Sequence, residues 1–320
     1  MTLTLPSWQP QAPLQLLTLD WAEAAGLELA VLRLDLIDPL ISGNKWFKLA
    51  PYLALAAESG AAGLISLGGA HSNHLHALAA AGQRFSFPVV GLLRGEPQDT
   101  PTVRDLQAWG MQLHWLGYSG YRARNQPGFW AAWQQRYPHL LAVSEGGSGL
   151  LGARGCIPLR QQVQAQLAHI GWADYDVWWL AAGTGTTVAG LVLAEAQAAA
   201  KPVFAALAVP ADHGTAQQIA SVLAEADVTD RGYHLLHACR GGFARMDAEL
   251  LTFMAQTEDL CSLPLEPVYT AKALLELRQQ VEAGYFASGT RVVFVHTGGL
   301  QGRRASFADV DQRANDSVVN

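Results

Sequence analysis

The sequence predicts an α/β fold built from two doubly wound parallel-sheet domains, the smaller inserted in the larger. Three observations carry that expectation. Short apolar runs of strand length alternate with runs of helical spacing along almost the whole chain. Glycine-rich turns directly follow several of the strand runs, where open parallel sheets place their ligands. The 320 residues, 50% of them hydrophobic and with no repeat or low-complexity linker, suffice for about two domains of ordinary size. Two chain crossings are therefore expected instead of one linker, with residues 48–155 forming the small domain and residues 1–47 and 156–320 the large one.

The elements follow in order. Leu27 to Ile37 runs apolar in the manner of a strand and stops at Asp38-Pro39. After the turn Ser42-Gly43-Asn44-Lys45, helical spacing covers Lys48 to Ser59 and closes on Gly60. Ala62 to Leu67 reads as a buried strand, Gly68-Gly69 as a turn, His74 to Arg84 as a helix and Phe87 to Leu93 as a strand. A helix near Val103 to Trp109, a strand at Met111 to Leu116 and a helix around Phe129 to Arg136 continue the rhythm. The second set comprises helices at Pro158 to His169, Val188 to Ala200, Gly214 to Glu225, Met246 to Gln256 and Lys272 to Glu282. Its strands are Tyr175 to Ala181, Pro202 to Val209, Tyr233 to His237 and Arg291 to His296. Parallel strands covered on both faces are what this alternation describes.

Charge and cysteine usage narrow the function classes. The net charge of −6 leaves no basic field for nucleic acid. Only 15% of residues are charged, which points to surface covered by a second subunit, as in a homodimer. Cys156, Cys239 and Cys261 lie far apart without a CxxC pair, as in a reducing compartment. The amino-terminal residues lack the cationic start of a secretory signal, and no apolar run reaches the roughly 18 residues of a membrane span. A cytoplasmic protein with no membrane partner is expected.

Three stretches carry chemistry. Lys45 stands where backbone rigidity can aim an amine, and a buried amine can condense with an aldehyde; elsewhere such a lysine is a solvated cation at a helix start. Gly183-Thr184-Gly185-Thr186-Thr187 lies between a strand and a helix, so its N–H groups, its hydroxyls and the helix terminus make an anion cradle. No Gly-Lys-Ser/Thr ending makes it a P-loop, and Val188 stands where a dinucleotide fingerprint needs its third glycine, so a phosphate monoester fits best. In Gly68-Gly69-Ala70-His71-Ser72-Asn73-His74-Leu75-His76, Ser72 or Asn73 can cap a helix whose free N–H groups hold a carboxylate. The histidines have no acid or cysteine nearby to complete a ligand set, so no metal is expected. With Glu145-Gly146-Gly147-Ser148-Gly149 and His296-Thr297-Gly298-Gly299, these turns are expected to converge on one cleft.

An amine for an aldehyde, a cradle for one phosphate and a turn for an amino-acid carboxylate together describe a pyridoxal 5'-phosphate enzyme taking a small amino-acid substrate. Over nearly its whole length the sequence resembles the 1-aminocyclopropane-1-carboxylate deaminase and D-cysteine desulfhydrase family, of tryptophan-synthase-β-like fold. The resemblance rests on Gly43-Asn44-Lys45 with Lys48, Gly68-Gly69-x-x-Ser72-Asn73-His74, the Gly183–Thr187 stretch with Ala189-Gly190, Pro267-Val268-Tyr269-Thr270-x-Lys272 and His296-Thr297-Gly298-Gly299.

That resemblance implies that Lys45 binds the cofactor and moves protons. It implies that Asn73 lies against the ring and its phenolic oxygen, that Lys48 helps at the phosphate, and that Gly183, Thr184, Gly185, Thr186 and Thr187 cradle it. Ser72, with Asn73 and His74 beside it, would bind the substrate carboxylate and could act in proton transfer. Tyr269 would stand near the leaving group and Phe243 near the substrate. Two departures bear on activity. Deaminases of the cyclopropane substrate carry Tyr-Glu where this chain has Tyr269-Thr270, so a neutral Thr270 or Thr297 meets the ring nitrogen; Phe243 stands where the family tends to have a second tyrosine. Both favour α,β-elimination from D-cysteine, or from another β-substituted amino acid, over ring opening, because elimination has an α-proton to remove and needs a weaker electron sink.

Overall fold

The run Val177-Trp178-Trp179-Leu180-Ala181-Ala182 is apolar on both faces, and only a strand covered on both sides tolerates that. A computed structural model describes residues 2–198 and 200–304 and shows the cover. Neighbouring tryptophans point to opposite faces. Trp178 Nε1 donates to Glu195 Oε1 at 2.9 Å on the helix Thr186–Ala196, while Trp179 Nε1 donates to the Ala273 carbonyl at 2.7 Å on the helix Thr270–Glu282.

Ten strands are present among the described residues: β1 (Leu14–Leu16), β2 (Glu28–Arg33), β3 (Gly63–Gly68), β4 (Val89–Leu93), β5 (Gln112–Trp115), β6 (Leu140–Ala142), β7 (Val177–Ala182), β8 (Val203–Leu207), β9 (Tyr233–His237) and β10 (Arg291–His296). They form two sheets, ordered β1-β2-β10-β7-β8-β9 and β5-β4-β3-β6. Every pairing is parallel except β1 with β2. The α/β class with two parallel-sheet units is thus present.

Among the described residues, those of Met1–Gln9, Lys45–Gly152 and Gln301–Asn320 make one compact unit, and those of Pro10–Asn44 and Ala153–Leu300 the other. The four-stranded sheet belongs to the first. Its core gathers Ile65, Leu67, Val90 and Leu92 with Tyr121, Tyr137 and Leu140. The second holds the six-stranded sheet, with β10 central and Val293 in register with both Ala30 and Trp178. Its main cluster packs Val31, Trp179, Phe204 and Phe294 against Phe253, Leu274 and Leu277 of the helices. No helix of the described residues is long and apolar enough to cross a membrane.

Several elements begin or end where polar side chains decide. The strand expected to reach Ile37 stops at Arg33, whose guanidinium turns back onto Asp35 at 2.6 Å as the chain enters the 3-10 turn Leu34–Leu36. The helix expected from Lys48 starts at Asn44, directly after Gly43 at φ +79. Lys45 therefore lies inside the first helical turn. Likewise the cradle helix begins at Thr186, two residues before the apolar periodicity.

Candidate functional site

Lys45 and Lys48 share one face of the helix Asn44–Glu58, three residues apart in its first turn. A helix amino terminus disfavours cations, so Lys45 there lowers the stability of the helix start. Lys48 is only 3% exposed and Lys45 half-buried. Beside them in the same unit stands His74, fully buried, its imidazolium held well below the ordinary value first by burial and then by the charges of Lys45 and Lys48. Its tautomer follows from its neighbour. Ser66 Oγ donates to the Val143 carbonyl at 2.9 Å and so accepts from His74 Nε2 at 2.8 Å. The proton sits on Nε2, and the buried Nδ1 is an acceptor with no hydrogen-bond partner among the described residues.

The turn leaving β3 supplies the next residues. Ser72 caps the helix Asn73–Phe85, its Oγ accepting from Leu75 N at 3.2 Å, which leaves the hydroxyl proton available. A Cβ on Gly68 would collide with Ser72 Oγ, so the glycine is what lets this hydroxyl sit against the strand end. Asn73, first residue of the helix, accepts from Gln301 Nε2 at 2.8 Å through Oδ1.

In the other unit, β7 ends at Ala182 and the chain turns through Gly183, Thr184 and Gly185 into a buried helix. Gly185 is left-handed at φ +75, and a Cβ on it would lie 2.5 Å from Ile219 Cγ1. No side chain caps this helix among the described residues, and its first backbone acceptance is Ala189 N to Gly185 O at 2.9 Å, so the N–H groups of Thr186, Thr187 and Val188 have no partner within the helix. Thr184 and Thr186 hydroxyls lie 2.9 Å apart at the same mouth. Thr187 Oγ1 accepts instead from Asn44 Nδ2 at 2.8 Å. Asn44 N also donates to the Thr297 carbonyl at 3.1 Å, and a Cβ on Gly43 would collide with that same oxygen. The turn that delivers the chain to Lys45 is thus bonded to both the cradle and the turn after β10.

Tyr269 packs beside Gly183, where a Cβ would lie 3.1 Å from Tyr269 Cε1. Phe243, 55% exposed, stands edge-on to it with ring centroids 6.1 Å apart. Thr270 is wholly buried. Its hydroxyl accepts from Glu266 N at 2.9 Å and donates to Glu266 O at 3.3 Å, so both its functions are taken. Half-buried Thr297 has no such bonds among the described residues.

Sequence reasoning missed Glu266 and Gln301 and gave Lys272 a place in a motif but no role. Glu266 is a buried carboxylate accepting from Val268 N at 2.8 Å and from Tyr269 N and Thr270 N at 2.6 Å each, and burial nevertheless pushes its carboxyl up to about 7. Lys272, 1% exposed, ties down the loop before Phe243 through the carbonyls of Cys239 and Gly242 at 3.0 and 3.2 Å. Gln301 holds Asn73. An acid just ahead of proline in an apolar stretch was the available signal for Glu266; Gln301 had none.

Two parallel-sheet units, one presenting an uncapped Gly/Thr helix terminus of the size and donor set a phosphate ester needs, define an α/β enzyme built around a phosphorylated cofactor. The chain belongs to the family of pyridoxal-phosphate dependent enzymes, whose sequence profile matches residues 9–298. It is 28% identical over 309 residues to the bifunctional D-cysteine desulfhydrase/1-aminocyclopropane-1-carboxylate deaminase of Arabidopsis thaliana, covering 91% of this chain and 76% of that protein. It is 25% identical over 295 residues to the D-cysteine desulfhydrase of Yersinia pestis, covering 86% and 87%. In fold it is similar to the crystal structure of an ACC deaminase homologue, with a TM-score of 0.81 at 21% identity over 97% of this chain and 95% of that one. The fold also matches threonine deaminase isoform 2 from Solanum lycopersicum, with a TM-score of 0.67 at 16% identity over 90% and 79%. These likenesses agree with the tryptophan-synthase-β-like fold expected above.

Proposed function

We propose that this enzyme catalyses α,β-elimination from D-cysteine, converting it with one water to pyruvate, sulfide and ammonia. The observation that carries the reading lies beside Tyr269. Thr270 stands where ring-opening relatives are expected to hold a glutamate, and the nearest acid, Glu266, has both oxygens bound by backbone N–H groups. Among the described residues no carboxylate is left there to keep a ring nitrogen protonated, and elimination tolerates that weaker sink. Thr297 is then the better candidate to meet the nitrogen.

Bound pyridoxal phosphate supplies an aldehyde for an amine and a ring that takes up the charge left by a departing α-proton. Residues of this chain do the rest. Lys45 would hold the cofactor through its amine and, with that amine free, would take the α-proton. Thr184, Thr186 and the first N–H groups of their helix hold the phosphate, with Lys48 adding charge. Ser72 and the amino terminus of its helix bind the substrate carboxylate. Tyr269 gives a proton to the departing thiolate, and Phe243 keeps water from its face.

A second reading has a specific support: the Arabidopsis relative's name carries 1-aminocyclopropane-1-carboxylate deamination as well. One experiment separates them. The purified, cofactor-loaded enzyme is assayed for sulfide and pyruvate from D-cysteine and L-cysteine, and for ammonia and a 2-oxoacid from the cyclopropane substrate. Turnover of D-cysteine alone is expected; preference for the cyclopropane substrate would overturn the reading. The low charged fraction supports a homodimer, which light scattering on the same sample tests.

A further inference from the structure

Asn73 has two amide faces, and only one of them is held. Its Oδ1 accepts from Gln301 Nε2 at 2.8 Å, while its Nδ2 has no acceptor among the described residues. An asparagine so held offers the outside world donors only. The grip is itself braced. Arg304, three residues beyond Gln301, pairs with Asp105, whose Oδ2 lies 3.2 Å from His76 Nε2. His76 sits three residues after Asn73, on the next turn of the same helix, and its ring meets Trp109 edge-on at 4.7 Å. The segment after the His-Thr-Gly-Gly turn therefore grips two successive helical turns, one directly through Asn73 and one through Asp105.

We infer that Gln301 is a positioning residue that fixes the orientation of the Asn73 amide, so that Nδ2–H donors and not a carbonyl face an anionic oxygen of the bound cofactor. This rests on the assignment of Asn73 to the phenolic oxygen of the ring. A free asparagine amide turns over at little cost, presenting donor and acceptor alternately. Against a phenolate the two are far from equivalent: one orientation makes a charge-assisted bond, the other sets two acceptors together. Gln301 selects the first.

The test uses variants that differ in what they can give Asn73. In Gln301→Glu a carboxylate can only accept, so it draws Nδ2 towards itself and turns Oδ1 to the ligand. In Gln301→Lys an ammonium can only donate, so the native orientation is kept. Cofactor affinity of the apoenzyme and absorbance of the loaded enzyme are measured for both, with thermal unfolding of the apoprotein alongside. Gln301→Glu is expected to weaken binding by about tenfold or more and to shift absorbance towards the band of the un-ionised phenol, with Gln301→Lys within about threefold of wild type. Equal behaviour of the two variants overturns the inference. Should Gln301→Glu fail to fold, Asn73→Asp removes the donors directly, and wild-type affinity and absorbance in it would overturn the inference as well. Failure of wild type to bind pyridoxal phosphate would instead sink the cofactor assignment on which all of this stands.

Discussion

Replacing Glu266 with Gln separates what burial does to this carboxyl from what its hydrogen bonds do. The group is 2% exposed, and burial raises its pKa from the ordinary 4.5 to about 7 against the pull of three backbone N–H donors and Lys272. A carboxyl whose folded pKa is raised lends stability in its protonated form, and that stability drains away as pH rises from the unfolded value through the folded one. The full loss corresponds to about 3 kcal/mol, of which about 2 kcal/mol falls between pH ~5.5 and pH ~8.5. The glutamine has no such slope. It does, however, set its NH2 against one of the three N–H donors, and an orphaned buried donor costs about 1–3 kcal/mol. Glu266→Gln should therefore be less stable than wild type at the lower pH, and equal to it or more stable at the higher. Urea unfolding of both apoproteins at the two pH values measures the difference. If the gap between them stays constant, the raised carboxyl is not a property of the folded protein and the reasoning fails.

Four further outcomes are expected. Lys45→Ala should abolish pyruvate release yet melt at or slightly above the wild-type apoprotein, because a cation leaves the positive end of a helix. Gly298→Ala places a Cβ 2.5 Å from Gly43 Cα at a φ of +79, and a loss of about 2 kcal/mol or more should appear in thermal denaturation. Ser66→Ala removes the acceptor for His74 Nε2 and a donor to Val143 O, and urea titration should show about 1–3 kcal/mol lost. Thr270→Val should lower stability by about 1–2 kcal/mol with kcat/KM nearly kept, whereas Thr297→Val should do the reverse, as melting curves and steady-state kinetics on the same samples would show.

The strands most legible in the sequence are those buried on both faces. Arg291–His296 lies where its apolar run places it, because a central parallel strand has no polar side to blur its pattern. β1 and β6, three residues each, escaped notice because so short a run carries no period. Helix starts were read late for a related reason. Asn44, Lys45 and Thr186 are polar, so helical geometry begins before hydrophobic periodicity does. Lys45, Ser72 and the Gly/Thr cradle were readable because their neighbours in the chain mark them out. The roles of Glu266, Gln301 and the bare nitrogen of His74 were not, since each depends on a partner that only tertiary structure brings within reach. Thr270 and Thr297 look equivalent as letters and differ in burial and in whether the hydroxyl is already taken.

The backbone crossing of Gly43 with Thr297 and Gly298 bears on how the enzyme comes to be active during synthesis and refolding. Those residues follow β2 and β10, strands from near opposite ends of the chain that lie side by side in one sheet. Contacts so distant in sequence close slowly, after local helices and hairpins have formed. The amide of Asn44, and with it the lysine next in line, acquires its anchor only when the last strand has docked. A nascent or misfolded chain thus lacks this anchor, and a fixed start for the helix Asn44–Glu58 becomes a late event that reports completion of the large sheet.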